Sequence, residues 1–120
     1  MAYIGTNNNT VEAFTQGYPP AVSITAQSTV QNGAAVDGLA VRANAVMSVT
    51  TSAGVTAGSV QLQGSLDGTN FFNVGSAVST TTANTTTAVV ATNAMVRYAR
   101  AAIVTAITGG SVSASVGLNS

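Results

Sequence analysis

Cysteine, histidine, lysine and tryptophan are absent from this chain of 120 residues, and its charged residues are three arginines and three carboxylates, for a net charge of zero. Each absence excludes something. Without cysteine there is no disulfide framework, no thiolate metal site and no cysteine nucleophile. Without histidine the commonest general base and metal ligand are missing, and neither a Ser-His-Asp nor a Cys-His set can be assembled. The acids Glu12, Asp37 and Asp67 are scattered and do not offer the spaced pair that glycoside hydrolysis needs. Three arginines cannot form the basic stripe of a nucleic-acid binder. No run approaches the roughly 18 apolar residues of a membrane helix. The first twenty residues, MAYIGTNNNTVEAFTQGYPP, carry neither the basic start nor the apolar run of a signal peptide, so ordinary secretion is not expected. These absences predict a protein that is not an enzyme, uses no cofactor or metal, and has neither nucleic acid nor a membrane as partner.

What is present is small and β-prone. Alanine, valine and threonine make up 56 of the 120 residues. The surface is therefore built from hydroxyls, amides and small apolar groups. Net charge is what normally keeps monomers apart, so this surface favours packing against other protein, including further copies of itself.

The length fits one domain, but residues 1–20 differ from the rest. They hold the run Asn7, Asn8 and Asn9, the aromatics Tyr3, Phe14 and Tyr18, and the pair Pro19 and Pro20. Adjacent prolines impose extended geometry and stop a helix. The segment is read as an extended N-terminal arm, with a first edge strand as the alternative, and residues 21–120 as the domain proper.

From residue 21 the dominant signal is period two. In GLAVRANAVMSVTTSAG the positions Leu39, Val41, Ala43, Ala45, Met47 and Val49 are all apolar, and Arg42, Asn44, Ser48 and Thr50 alternate with them, the pattern of a half-buried strand. Val46 interrupts the polar face and predicts partial cover there. Val60 and Leu62 alternate with Gln61 and Gln63 and lead into Asp67-Gly68, a strong hairpin signal, with Phe71, Phe72 and Val74 opening the return strand. Asn32-Gly33, Asp37-Gly38 and Gly109-Gly110 read as further turns. TTTAVVAT is β-branched, and SVSASVGL alternates Val112, Ala114, Val116 and Leu118 with Ser or Gly. TNAMVRYARAAIVTAI has helical spacing at Met95, Ala99 and Ala102 or Ile103, but Ile103, Val104, Thr105 and Ile107 favour a strand. Seven or eight short strands with turns about every ten residues predict an all-β fold, an antiparallel β-sandwich or jelly roll.

LQGSLDGTNFFNVGSAV and, some twenty residues later, VRYARAAIVTAITGGSVSASVGL together resemble the strand-turn-strand and final hairpin of small β-sandwich virion proteins of tailed phages, chiefly capsid decoration (cement) proteins. A similar turn and strand occur in discoidin-type carbohydrate-binding sandwiches. The resemblance spans Val60 to Leu118. On it, Asp67 and Gly68 match the turn, Phe71 or Phe72 takes the place of the aromatic packed under it, and Arg97, Tyr98 and Arg100 match the later strand. The chain departs from the discoidin pattern in lacking tryptophan and the flanking cysteines.

Asp37 and Asp67 are the candidate calcium ligands, but each stands alone in an Asp-Gly turn, and hard cations need several oxygens; the turn accounts for both. On a strand, Arg97 and Arg100 fall on opposite faces, so at least one faces outward or toward a neighbour. The resemblance implies a decoration subunit on the capsid surface of a virion, a homo-oligomer expected to be a trimer, with the major capsid protein as partner. Its expected contacts are Tyr3, Ile4, Phe14 and Tyr18 of the arm, together with Arg97 and Arg100. A glycan-binding head or tail appendage and a self-assembling tail or filament subunit are the alternatives.

Overall fold

The computed structural model describes residues 21–119. Their regular structure is entirely strand: β1 (Ala21–Gln27), β2 (Gln31–Asn32), β3 (Val36–Arg42), β4 (Asn44–Thr51), β5 (Ala57–Ser65), β6 (Phe72–Asn73), β7 (Val78–Ser79), β8 (Thr86–Ala91), β9 (Val96–Thr108) and β10 (Val112–Asn119). Two antiparallel sheets pack together as a β-sandwich. The first has the order β1-β10-β4-β8. The second is centred on the β5–β9 pair, with β2 and β3 along the far side of β9 and β6 and β7 along the far side of β5.

Alternation dictates what enters the core. In β4 and β10 the inward residues Ala45, Met47, Val49, Val112, Ala114, Val116 and Leu118 are at most 2% exposed, and they face one another across the ladder, as in Met47 with Val116 and Val49 with Ala114. The second sheet contributes Val60, Leu62, Ala99, Ala101 and Ile103. Met47, Leu62 and Ile103 are among the largest fully buried side chains, each worth about 1.5–3 kcal/mol of burial. The sheets are also stitched by a polar contact. Ser23 Oγ on β1 accepts from the Ala101 amide on β9 at 3.0 Å and donates to the Ala34 carbonyl at 2.7 Å.

The strand expected over TNAMVRYARAAIVTAI holds, and three other sequence expectations change. The alternating run from Leu39 to Val49 is two strands, β3 in one sheet and β4 in the other, with Ala43 between them. Leu39 and Val41 are 60% and 50% exposed while Ala45, Met47 and Val49 are buried. The break has a local cause: Asp37 Oδ1 accepts the Leu39 amide at 2.8 Å, Leu39 takes φ 63, and Arg42 Nε donates to the Gly38 carbonyl at 2.8 Å. Asp37-Gly38 is consequently inside β3 and not a hairpin turn. Gly38 serves close packing there, since a Cβ would come within 2.9 Å of the Arg42 side chain and 3.2 Å of Leu118.

The segment with helical spacing is the thirteen-residue strand β9, held in the middle of its sheet by its β-branched residues and two flanking ladders. Its N-terminal end is irregular. Val96 and Ala99, three apart, are both fully buried, which strict alternation forbids. The irregularity faces the register shift between Asp37 and Arg42 in the β3–β9 pairing, the signature of a bulge. Lastly, Gln61 is not on a solvated face. It is 5% exposed, and its Nε2 donates to the carbonyls of Leu62, Val74 and Gly75 at 2.9, 3.1 and 3.2 Å, which holds the β6–β7 connection on β5.

Candidate interaction site

The charged residues among those described are Asp37, Arg42, Asp67, Arg97 and Arg100, and all of them engage groups of their own chain on β3, β9 and the turn after β5. Arg97 Nε meets Asp37 Oδ1 at 2.9 Å, and its second nitrogen meets Oδ2 at 3.2 Å. This bidentate pair lowers the Asp37 pKa, through the Arg97 hydrogen bond first and the Leu39 amide second, and raises that of Arg97. Both side chains are more than a third exposed, where ion pairs add little stability.

The Asp67 turn is closed by its own side chains. Ser65 Oγ donates to Asp67 Oδ1 at 2.9 Å and accepts from the amides of Asp67 and Gly68 at 3.2 and 2.9 Å. Oδ1 also accepts the Thr69 and Asn70 amides, and Oδ2 the Asn70 side-chain amide, all at 2.8 Å. These donors, led by the Asn70 and Thr69 backbone, hold the carboxyl well below the ordinary carboxylate range. The acid's bonding capacity is spent on the turn.

The ring beneath this turn is Tyr98, where the sequence pointed to Phe71 or Phe72. A Cβ on Gly68, which has φ 78, would lie 3.2 Å from the Tyr98 ring. The register explains it: Ser65 pairs with Tyr98, so the residues just past Ser65 fold back over the neighbouring strand's side chain. The Arg97 guanidinium stands 5.1 Å from the same ring. The bulge thus brings Arg97 to the Tyr98 side of β9 instead of the opposite face that strict alternation gave it. Arg100, two residues beyond Tyr98, stacks on Phe71 at 3.9 Å from the ring centroid and donates from Nε to Gln63 Oε1 at 2.9 Å; partial burial pushes its pKa down. Of the described aromatic rings, Phe72 is the open one, at 48% exposure.

The outer face of the four-stranded sheet has the opposite character. Register places side chains there in three rows: Val90, Val46 and Gly117; Ala88, Ser48 and Ser115; Thr86, Thr50 and Ser113. Val22 of β1 pairs with Ser115 and lies 60% exposed. No ionisable residue occurs in β1, β4, β8 or β10. The side chains are short, the Thr50 and Thr86 hydroxyls meet at 3.0 Å, and Val90 is 69% exposed. A flat partner covering such a face would bury no charge, and would have to offer hydrogen bonds to its Ser and Thr hydroxyls.

The structure brings Arg97 and Arg100 into one cluster with Asp37, Tyr98 and Phe71. Tyr3, Ile4, Phe14 and Tyr18 lie outside the described residues. The uncharged face was not singled out from sequence, although the absence of charge over both Asn44–Thr51 and Thr86–Ala91, in strands of alternating pattern, is a readable signal for it. Among the described residues no three His, Cys, Asp or Glu side chains stand together to hold a metal, and no helix is long and apolar enough to cross a membrane. No protein-family model matches the chain, and no curated protein is significantly similar to it.

Proposed function

We propose that this chain is a structural protein of a tailed-phage virion, a capsid decoration subunit that self-associates and binds the lattice of major capsid proteins at the capsid surface. The observation that carries the reading is the separation of charge. The described charges engage groups of their own chain at β3, β5, β9 and the turn after β5, and the outer face of the β1-β10-β4-β8 sheet is uncharged, with short side chains. A surface of this kind suits adhesion to other protein. Each contact is weak, and repetition across a lattice multiplies it. In this reading the arm residues Tyr3, Ile4, Phe14 and Tyr18 add aromatic and apolar anchors on a neighbouring subunit. Because Arg97 and Arg100 bind Asp37 and Phe71 within the chain, their part in the contact is to frame the cluster and not to offer loose charge.

The test is co-sedimentation with undecorated capsids. The protein is expected to pellet with capsids, and Ser48→Arg, in the middle of the uncharged face, to lose attachment at least tenfold while its circular dichroism is unchanged. A wild-type chain that stays in the supernatant, or a folded Ser48→Arg that binds equally well, contradicts the reading.

A further inference from the structure

We propose that β8 is an open pairing edge and that two copies of this chain join through it, strand to strand and antiparallel about a two-fold axis at Ala88. The inference rests on the self-association in the functional reading above, and not on capsid binding.

The edges of the two sheets are unequal. β1 is bulged, with register shifts between Val22 and Ile24 and between Ile24 and Gln27, and Ala26 takes φ 48. β3 is broken by its own shift and by the positive φ of Leu39. β2, β6 and β7 are two residues each. Bulges and very short strands are the usual means of keeping an edge from pairing. β8 has neither. It pairs with β4 over six consecutive residues without a shift, Ala45 with Ala91 through Thr50 with Thr86, has β4 as its one neighbour in the sheet among the described residues, and contains no charge, proline or glycine in TTAVVA.

Ladder parity says which groups the edge presents. The Thr51 amide donates to the Thr85 carbonyl at 2.9 Å, and this pair continues the β4–β8 register. Hydrogen-bonded and non-bonded pairs alternate in an antiparallel ladder. Thr87, Val89 and Ala91 therefore point their backbone groups at β4, and Thr86, Ala88 and Val90 point theirs away, to the open side. A two-fold axis perpendicular to the sheet matches such residues only with one another. Centred on Ala88 it forms the doubly bonded pairs Thr86 with Val90, Ala88 with Ala88, and Val90 with Thr86, about six hydrogen bonds. Centred on Val89 it retains only the two Ala88–Val90 pairs within the strand, so the Ala88 register is favoured. No like charges meet, and the valine exposed at Val90 is covered beside Thr86 of the second copy. The axis keeps both uncharged faces on the same side, as one continuous eight-stranded surface.

Sedimentation of the full chain tests this. The wild type is expected as a dimer of about 24 kDa, twice the 11.8 kDa chain. Ala88→Pro removes an amide that β4 does not use, and Val90→Lys places a charge on the edge; both are expected to be folded by circular dichroism and to sediment as monomers, with dimerisation weakened at least tenfold. Ala88→Cys, in a chain with no other cysteine, is expected to oxidise to a covalent dimer. A wild-type trimer, a wild-type monomer at all concentrations, a folded Val90→Lys that still dimerises, or a dimer in which Ala88→Cys does not cross-link overturns the inference. A monomer also removes the self-association in the functional reading, whereas a dimer that ignores capsids removes the capsid reading alone.

Discussion

Arg100 lies over Phe71, its guanidinium carbon 3.9 Å from the ring centroid, and its Nε holds Gln63 Oε1 at 2.9 Å. The cation's partners are a ring and an amide, which ties β9 to β5 and to the segment just before β6. Replacing Arg100 by Ala is expected to cost about 0.5–1 kcal/mol, the range of a partly exposed cation–π contact. A double-mutant cycle with Phe71→Leu, read by urea denaturation, is expected to return a coupling of similar size. Additive effects of the two substitutions contradict the contact.

The Asp67 turn predicts an acid sensitivity. Its carboxyl is held below the ordinary range by the Asn70 and Thr69 amides, the Asn70 side chain and Ser65. A folded-state pKa below the unfolded one, about 3.9, means stability that is fully present above the unfolded value and is lost as pH falls through the folded one. Urea denaturation from pH 7 down to pH 2 is expected to show stability falling at the acid end. In Asp67→Asn this dependence is expected to shrink to the part contributed by Asp37, which Arg97 depresses in the same direction. An unchanged acid limb in Asp67→Asn contradicts the assignment.

Ser23 carries the polar link between the sheets. Its hydroxyl is nearly buried and is bonded to both the Ala101 amide and the Ala34 carbonyl. Ser23→Ala leaves those two backbone groups unpaired, at a cost of about 1–3 kcal/mol. With roughly 4–8 °C per kcal/mol in a domain of this size, a melting temperature lowered by several degrees is expected. No change in melting temperature contradicts the role.

Where side-chain alternation alone decides, the fold was legible. Val112, Ala114, Val116 and Leu118 read as one face and are one buried face, Asp67-Gly68 read as a turn and is one, and the β-branched residues of Ile103 to Ile107 carried strand over helix. What failed needed information from elsewhere in the chain. The period-two run through Leu39 to Val49 has no feature in its apolar pattern that marks the sheet change at Ala43. The change is made by Asp37 and Arg42 bonding to backbone nearby. The joint placement of Arg97 and Tyr98 depends on a bulge that only the partner strand β3 reveals. Gln61 looked solvated because its neighbours alternate, yet the β6–β7 connection folds over it. The β-branched character of β8 was legible as composition, and its place at the end of the sheet, paired with β4 alone among the described strands, came only with the strand order.

The N-terminal segment is expected to be dispensable for folding, since residues 21–119 bury their own core. Deleting Met1 to Gln16 is predicted to leave the circular dichroism of the sandwich intact and to weaken capsid attachment, as Ile4 and Phe14 would each forfeit about 1.5–3 kcal/mol of burial. An unfolded truncation would make the segment an integral strand, and undiminished attachment would remove its contact role.

The most direct measurement of the proposed decoration role is the copy number of this chain in purified tailed-phage virions, by quantitative mass spectrometry against the major capsid protein. A decoration subunit is present in a fixed ratio to the capsid lattice, reproducible between preparations. A chain abundant in the lysate but missing from purified virions, or present in a ratio that drifts between preparations, contradicts the account.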